Sequence, residues 1–291
     1  MSDHIKDIDD ITGTETTGHE WDGIKELNTP LPRWWLWTFY ATIVWAIGYT
    51  IAYPAWPGLT DATKGVLGWT SRGELAADMD AAREAQSVYL NQIEAMEVAE
   101  ILDNPELVEF SVVGGSSAYK VYCVQCHGSG AAGGGGYPNL NDDDWIWGGS
   151  IDQIKLTLMH GIRYEQDFDT LISDMPRYGA DEILSREEIS DVAWYVRSLA
   201  GLDHDAAAAS NGALTFEEQC SACHGDVGEG ITDLGAPNLS DAIWLYGGTH
   251  EELVAQITNP QQGVMPGWGE RLGETTVKKL AVYVHQLGGG E

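Results

Sequence analysis

The sequence predicts a mainly α chain in which a single transmembrane helix precedes two tandem copies of a small helical unit. Three observations carry that reading. No charged residue occurs in residues 34–60, the pattern Cys-x-x-Cys-His occurs at residues 123–127 and again at 220–224, and residues 138–149 align on residues 237–248 without a gap. A length of 291 residues fits a soft prior of about two domains beside an anchor.

In chain order, residues 1–32 are polar and acidic and are expected in the cytoplasm. Residues 33–57 form the transmembrane segment, since the run from Trp34 to Tyr53 approaches the ~20 residues a helix needs to cross the hydrocarbon core. Trp34, Trp35 and Trp37 crowd one end and Tyr49, Tyr53 and Trp56 the other, as for rings seated at two interfaces. Pro54 and Pro57 stop the helix. A cleaved signal peptide competes with this reading. The acidic leader, the long apolar run and the lack of a clean small-x-small site favour an uncleaved anchor. Lys25 and Arg33 before the span and Lys64 and Arg72 after it leave the positive-charge rule indecisive.

Residues 58–112 read as a helical linker. Its centre, residues 72–102, is expected to be one amphipathic helix opened by a Ser71–Glu74 capping box, with Leu75, Met79, Ala82, Tyr89, Ile93 and Met96 on one stripe. Either the following helical unit or a partner membrane subunit covers that stripe. Met79 and Met96 are read as core filler.

Cys-x-x-Cys-His is the attachment signal for c-type haem. Residues three and four apart share a helix face, so Cys123 and Cys126, or Cys220 and Cys223, reach the two vinyl groups of one porphyrin while His127 or His224 meets the iron. The chain is therefore expected to carry two covalent haems. A zinc knuckle or redox dithiol is the competing reading, yet the two copies use all 4 cysteines and leave none to complete a four-ligand site or a disulfide. Haem is attached outside the cytoplasm, which sets the bulk of the chain in the periplasm of a bacterial inner membrane. Porphyrin as core, wrapped by glycine-rich loops, also explains 35 Gly and 12 Trp.

The two haem units are expected over residues 113–202 and 212–291, with the alanine-rich 203–211 as a joint. Aromatics precede each signature, Tyr119 and Tyr122 in one copy and Phe216 in the other. Ile189, Tyr195, Val196 and Leu199 match Val277, Tyr283, Val284 and Leu287 at helical spacing downstream. Ser150–Gln153, Thr249–Glu252 and Ser185–Glu188 read as capping boxes. Each unit thus starts and finishes with a helix and resembles a small class I cytochrome c.

For the sixth iron ligand the sequence offers Met175 in Asp-Met-Pro-Arg-Tyr-Gly and Met265 in Val-Met-Pro-Gly-Trp-Gly. Proline after methionine disfavours helix there and lets the thioether project from an extended loop. A His/Met pair raises the potential and suits electron transfer. Met159 and His160 are rivals in the first unit, without counterparts in the second. Tyr137, Trp145, Trp147, Trp244, Tyr246 and Trp268 pack on the rings or reach propionates, and His4, His19, His204, His250 and His285 are read as surface or linker residues.

The balance of 15 basic against 45 acidic residues, a formal net charge of −30, makes nucleic acid a poor partner. The acidic surface suits either docking of a basic electron donor or adaptation to salt.

Together these features resemble the dihaem FixP/CcoP-like subunit III of the cbb3-type cytochrome c oxidase. The most specific residues are the entry 21–37, Trp-Asp-Gly-Ile-Lys-Glu-Leu-Asn-Thr-Pro-Leu-Pro-Arg-Trp-Trp-Leu-Trp, and the stretch 133–149. The resemblance implies that both haems are His/Met ligated, which falls on His127 with Met175 and on His224 with Met265. It also implies assembly with the catalytic haem-copper subunit and a monohaem cytochrome c subunit. The chain matches the single-span form. Its expected role is electron relay from a soluble cytochrome c or the quinol-cytochrome c reductase, with oxygen reduction and proton pumping left to the partner. The rivals are a membrane-anchored dihaem shuttle for another reductase, which needs no such anchor sequence, and a dihaem peroxidase, which needs one open iron position.

Overall fold

A computed structural model describes residues 7–241 and 243–290; His4 lies outside the described residues. The chain divides into two units, Met1–Ala85 and Gln86–Glu291.

The first unit opens with an antiparallel hairpin of β1 (Thr16–Trp21) and β2 (Ile24–Leu27) that the sequence reading did not anticipate. Its turn residues Asp22 and Gly23 have φ of 52° and 82°, the conformation that an Asp-Gly pair between strands supplies. Helix α1 (Arg33–Ala52) follows and is the one described helix long and apolar enough to cross a membrane. It ends because Tyr53, extended at φ −115° and ψ 161°, precedes Pro54, whose ring disfavours helix at the residue before it.

Helix α2 (Ser71–Ala95) runs from the first unit into the second. Its cap is Thr70, one residue earlier than expected: the Thr70 hydroxyl accepts from Gly73 N at 3.0 Å, while Glu74 is engaged by Trp69 Nε1 at 2.6 Å. The single helix expected over 72–102 is broken. Glu97 makes a capping box with Glu100 and starts α3 (Val98–Ile101). The buried Lys278 ammonium takes the carbonyls of Ile93, Glu94 and Met96 at 3.2, 3.3 and 2.7 Å. Tyr89, Ile93 and Met96 pack on the core of the second unit. Leu75 and Met79 are 61 % and 48 % exposed, so Met79 is not core filler.

The second unit continues with α4 (Pro105–Tyr122), α5 (Val124–His127), α6 (Ile151–His160), α7 (Arg186–Leu199), α8 (Ala206–Gln219), α9 (Ser221–His224), α10 (His250–Thr258), α11 (Gly269–Leu272) and α12 (Glu274–His285). Three of the four expected capping boxes form, on α6, α7 and α10, the exception being Ser71–Glu74 on α2. The alanine-rich stretch expected as a joint is helical from Ala206, with Asp205 as its cap.

The terminal helices pack mainly between the sequence repeats rather than within them. Helix α4 of the first repeat packs along α12 of the second, and α7 of the first along α8 of the second. The connection explains this exchange: only residues 200–205 separate α7 from α8, too short a tether for anything but adjacent antiparallel helices. Two cores result. One joins Ile93, Ile101, Leu107, Tyr119 and Ile154 to Val277, Leu280 and Val284; the other joins Ile189, Val192 and Val196 to Phe216, Leu253 and Ile257.

Glycine makes both crossings possible. A Cβ on Gly115 would lie 2.3 Å from the Lys279 carbonyl oxygen, and one on Gly212 would lie 2.1 Å from that of Asp191. The same ring pairs repeat at the two crossings, Tyr119 with Tyr283 at 5.4 Å and Phe216 with Tyr195 at 5.2 Å.

Candidate haem centres

Each haem signature lies on a short helix that continues, after one bent residue, from a longer one: Cys123 caps α4 and starts α5, and Cys220 caps α8 and starts α9. Cys123 and Cys220 are half-buried, Cys126 and Cys223 exposed. Burial, with the neighbouring cysteine adding to it, pushes the Cys123 and Cys220 thiols up to about 11. A redox dithiol needs a lowered thiol pKa, and these two thiols are shifted the other way.

The two histidines are held alike. His127 Nδ1 lies 3.1 Å from the Pro138 carbonyl oxygen and His224 Nδ1 lies 3.0 Å from that of Pro237. A carbonyl only accepts, so Nδ1 carries the proton and the Nε2 lone pair is left for a metal. Burial lowers both imidazole pKa values, against the opposing effect of those carbonyls, which keeps the rings in the neutral form that ligates. The role of the Pro-Asn-Leu repeat is thus to brace the histidine, a function its textual recurrence alone did not disclose.

One further atom fits a bound group. Trp244 Nε1 is buried with no hydrogen-bond partner among the described residues, whereas its counterpart Trp145 Nε1 donates to the Gly289 carbonyl. An unpaired buried donor is costly, and a porphyrin propionate is an acceptor of the right chemistry. The donor set of paired thiols, neutral imidazole and thioether is that of a c haem.

The methionine loops differ from the expectation built on chain order. Met265 packs in the core that contains Cys123 and Val124, and Met175 in the core that contains Cys220. Trp268, downstream of Met265, meets Tyr122 at 5.5 Å, while Tyr178, downstream of Met175, donates to the Gln219 carbonyl at 2.6 Å. Each loop therefore docks on the haem signature of the other repeat, and the pairing of His127 with Met175 and of His224 with Met265 does not follow the packing. The cause is the helix exchange, because each methionine loop leads into the C-terminal helix of its own repeat. Met265 is extended as expected, bridged to Ile162 by N–H···O bonds of 2.9 and 3.0 Å.

Of the rivals, His160 is engaged through Nδ1 with Asp167 at 3.0 Å, and Met159 packs against the first core. Trp147 and Tyr246 lie against Gly235 and Gly136, each on the loop of the other repeat. His250, expected at the surface, stacks on Trp194 with centroids 3.9 Å apart.

Three family models match: the N-terminal domain of cytochrome oxidase-cbb3, FixP, over residues 13–60, cytochrome c over 112–200, and cytochrome c oxidase, cbb3-type, subunit III over 207–284. The chain is 53 % identical over 291 residues to the cbb3-type cytochrome c oxidase subunit FixP of Sinorhizobium medicae, with 100 % of both chains covered. This chain belongs to the FixP family. The cbb3-type oxidase subunit CcoP of Cereibacter sphaeroides is 51 % identical over 276 residues, 95 % of each chain, and the FixP subunit of Bradyrhizobium diazoefficiens 47 % identical over 295 residues, 100 % of each. As a FixP-family protein it is a membrane-anchored electron-transfer subunit of a cbb3-type oxidase with two cytochrome c domains and two covalent c haems. The anchor-domain match over residues 13–60 is the feature a shuttle for another reductase does not require.

Proposed function

We propose that this chain relays electrons through two His/Met irons whose ligands are exchanged between the repeats: His127 with Met265, and His224 with Met175. The observation that carries the pairing is the packing of each methionine loop on the opposite haem signature. Bound c haem supplies one-electron chemistry at a raised potential, and the chain's residues do the rest. The cysteines would hold the porphyrin, the Pro138 and Pro237 carbonyls fix the imidazole tautomer, and the thioethers would complete the iron's ligand set, leaving oxygen chemistry to a partner.

The donor is a soluble cytochrome c or the quinol-cytochrome c reductase, and the acceptor lies in the oxidase complex, made with the catalytic haem-copper subunit and a monohaem cytochrome c subunit. Haem attachment outside the cytoplasm supports periplasmic haem units and a cytoplasmic N-terminus.

A chain carrying Cys220→Ala and Cys223→Ala, and so only the first haem, tests the pairing. Met265→Ala should abolish the methionine-to-iron charge-transfer band of that haem and Met175→Ala should leave it; the reverse result refutes the exchange. Purification from membranes in mild detergent should recover the haem-copper subunit, and a monodisperse lone chain would refute the assembly.

A further inference from the structure

Arg163 stands between the two methionine loops. Its Nε donates to the Gly263 carbonyl at 2.8 Å and its Nη1 to the Ser173 carbonyl at 2.9 Å. These acceptors hold the same place ahead of Met265 and Met175, respectively. The residue adopts φ of +51°, a left-handed conformation that a non-glycine residue keeps only when its surroundings over-determine it. Its own N–H is bound to the Leu171 carbonyl at 2.8 Å, and the preceding residue, Ile162, is the one bridged to Met265. Gln262, which aligns with Arg163 in the second repeat, reaches the other way and donates from Nε2 to the Met175 carbonyl at 3.3 Å.

We propose that Arg163 is a positioning residue shared by both iron sites, its guanidinium clasping the Met175 and Met265 loops together so that release of one thioether loosens the other. A planar fork holds its donors in fixed directions and spans two carbonyls on separate loops in one geometry, whereas an ammonium is a point donor on a flexible stem that does not set the two loops at a fixed separation. The inference rests on Met175 and Met265 being the distal ligands, and the test separates the two claims.

In the assembled oxidase, Met175→Ala and Met265→Ala should each remove one of the two methionine-to-iron bands; survival of both bands would overturn the ligand reading. Arg163→Gln should weaken both bands together and tighten imidazole binding to both ferric irons by about tenfold, the factor equal to ~1.4 kcal/mol. Arg163→Lys keeps the charge and should preserve one band while weakening the other. If neither variant changes either iron, or if Arg163→Gln changes one alone, the clasp is refuted.

Should the glutamine variant fail to accumulate with both haems, the native complex decides: imidazole should bind its two irons with positive cooperativity, and strictly independent binding refutes the proposal. A merely structural arginine would lower stability without moving either band or the cooperativity.

Discussion

At the scale of single residues, close backbone approach and buried charge set the tolerances. Gly115 permits α12 to cross α4 with the Lys279 carbonyl oxygen only 2.3 Å from where a Cβ would lie, so Gly115→Val should cost roughly 3 kcal/mol or more, read as a fall in the urea midpoint. A valine tolerated without loss would mean the helices separate easily. Asp144 offers a pH-dependent counterpart. Burial, then repulsion from Asp241, Asp142 and Asp143, raises its pKa to about 6. Its unfolded value is about 3.9, so the unfolded chain ionises first as pH rises, and the contribution to stability present below about 4 is lost by about 6. Asp144→Asn should flatten that part of the stability profile and stabilise the protein at pH 7; an unchanged slope would dismiss the effect. None of this was legible locally: Gly115 reads as a helix flaw and Asp144 as one of three surface acids until the neighbouring elements are in place.

At the scale of elements, the local rules proved the most readable. The Ser150, Ser185 and Thr249 capping boxes were visible as letters because they are satisfied within one turn. Ser150→Ala or Thr249→Ala should each cost ~1 kcal/mol in a denaturant titration. The Asp22-Gly23 turn is equally local, its two positive-φ residues joining β1 to β2 within an otherwise acidic leader. The break after α2 was only partly local. Beside the Glu97–Glu100 capping box stands Lys278, 3 % exposed, reaching from α12 to three carbonyls at the α2–α3 junction. Lys278→Ala leaves those acceptors buried and should cost roughly 2–3 kcal/mol, with hydrogen exchange rising first around residues 93–101; uniform exchange across the unit would argue that the lysine does not pin this junction.

At the scale of the whole molecule, the exchanged helices make the two sequence repeats interdependent. Expressed alone, residues 112–200 or 207–284 lack the helix that their own first helix packs on, so each should be protease-sensitive, while the two together in one chain resist; a compact single repeat with native His/Met ligation would contradict the exchange. The net charge of −30 predicts that electron delivery from a basic donor slows as salt rises, over the range where the screening length falls to about 10 Å and below; salt independence would leave the charge to solubility. The sequence by itself determined the anchor, the covalent haem signatures, the repeat and the four ligand candidates, because each is written in contiguous residues whose spacing is dictated by a helical turn, a bilayer or a porphyrin. Only the tertiary structure decided which haem signature each methionine loop packs on, which helices pair, and what Arg163 and Lys278 hold. Those outcomes depend on a short connection between α7 and α8 that forces neighbours in sequence to become neighbours in space, and on carbonyl groups whose positions no single segment specifies.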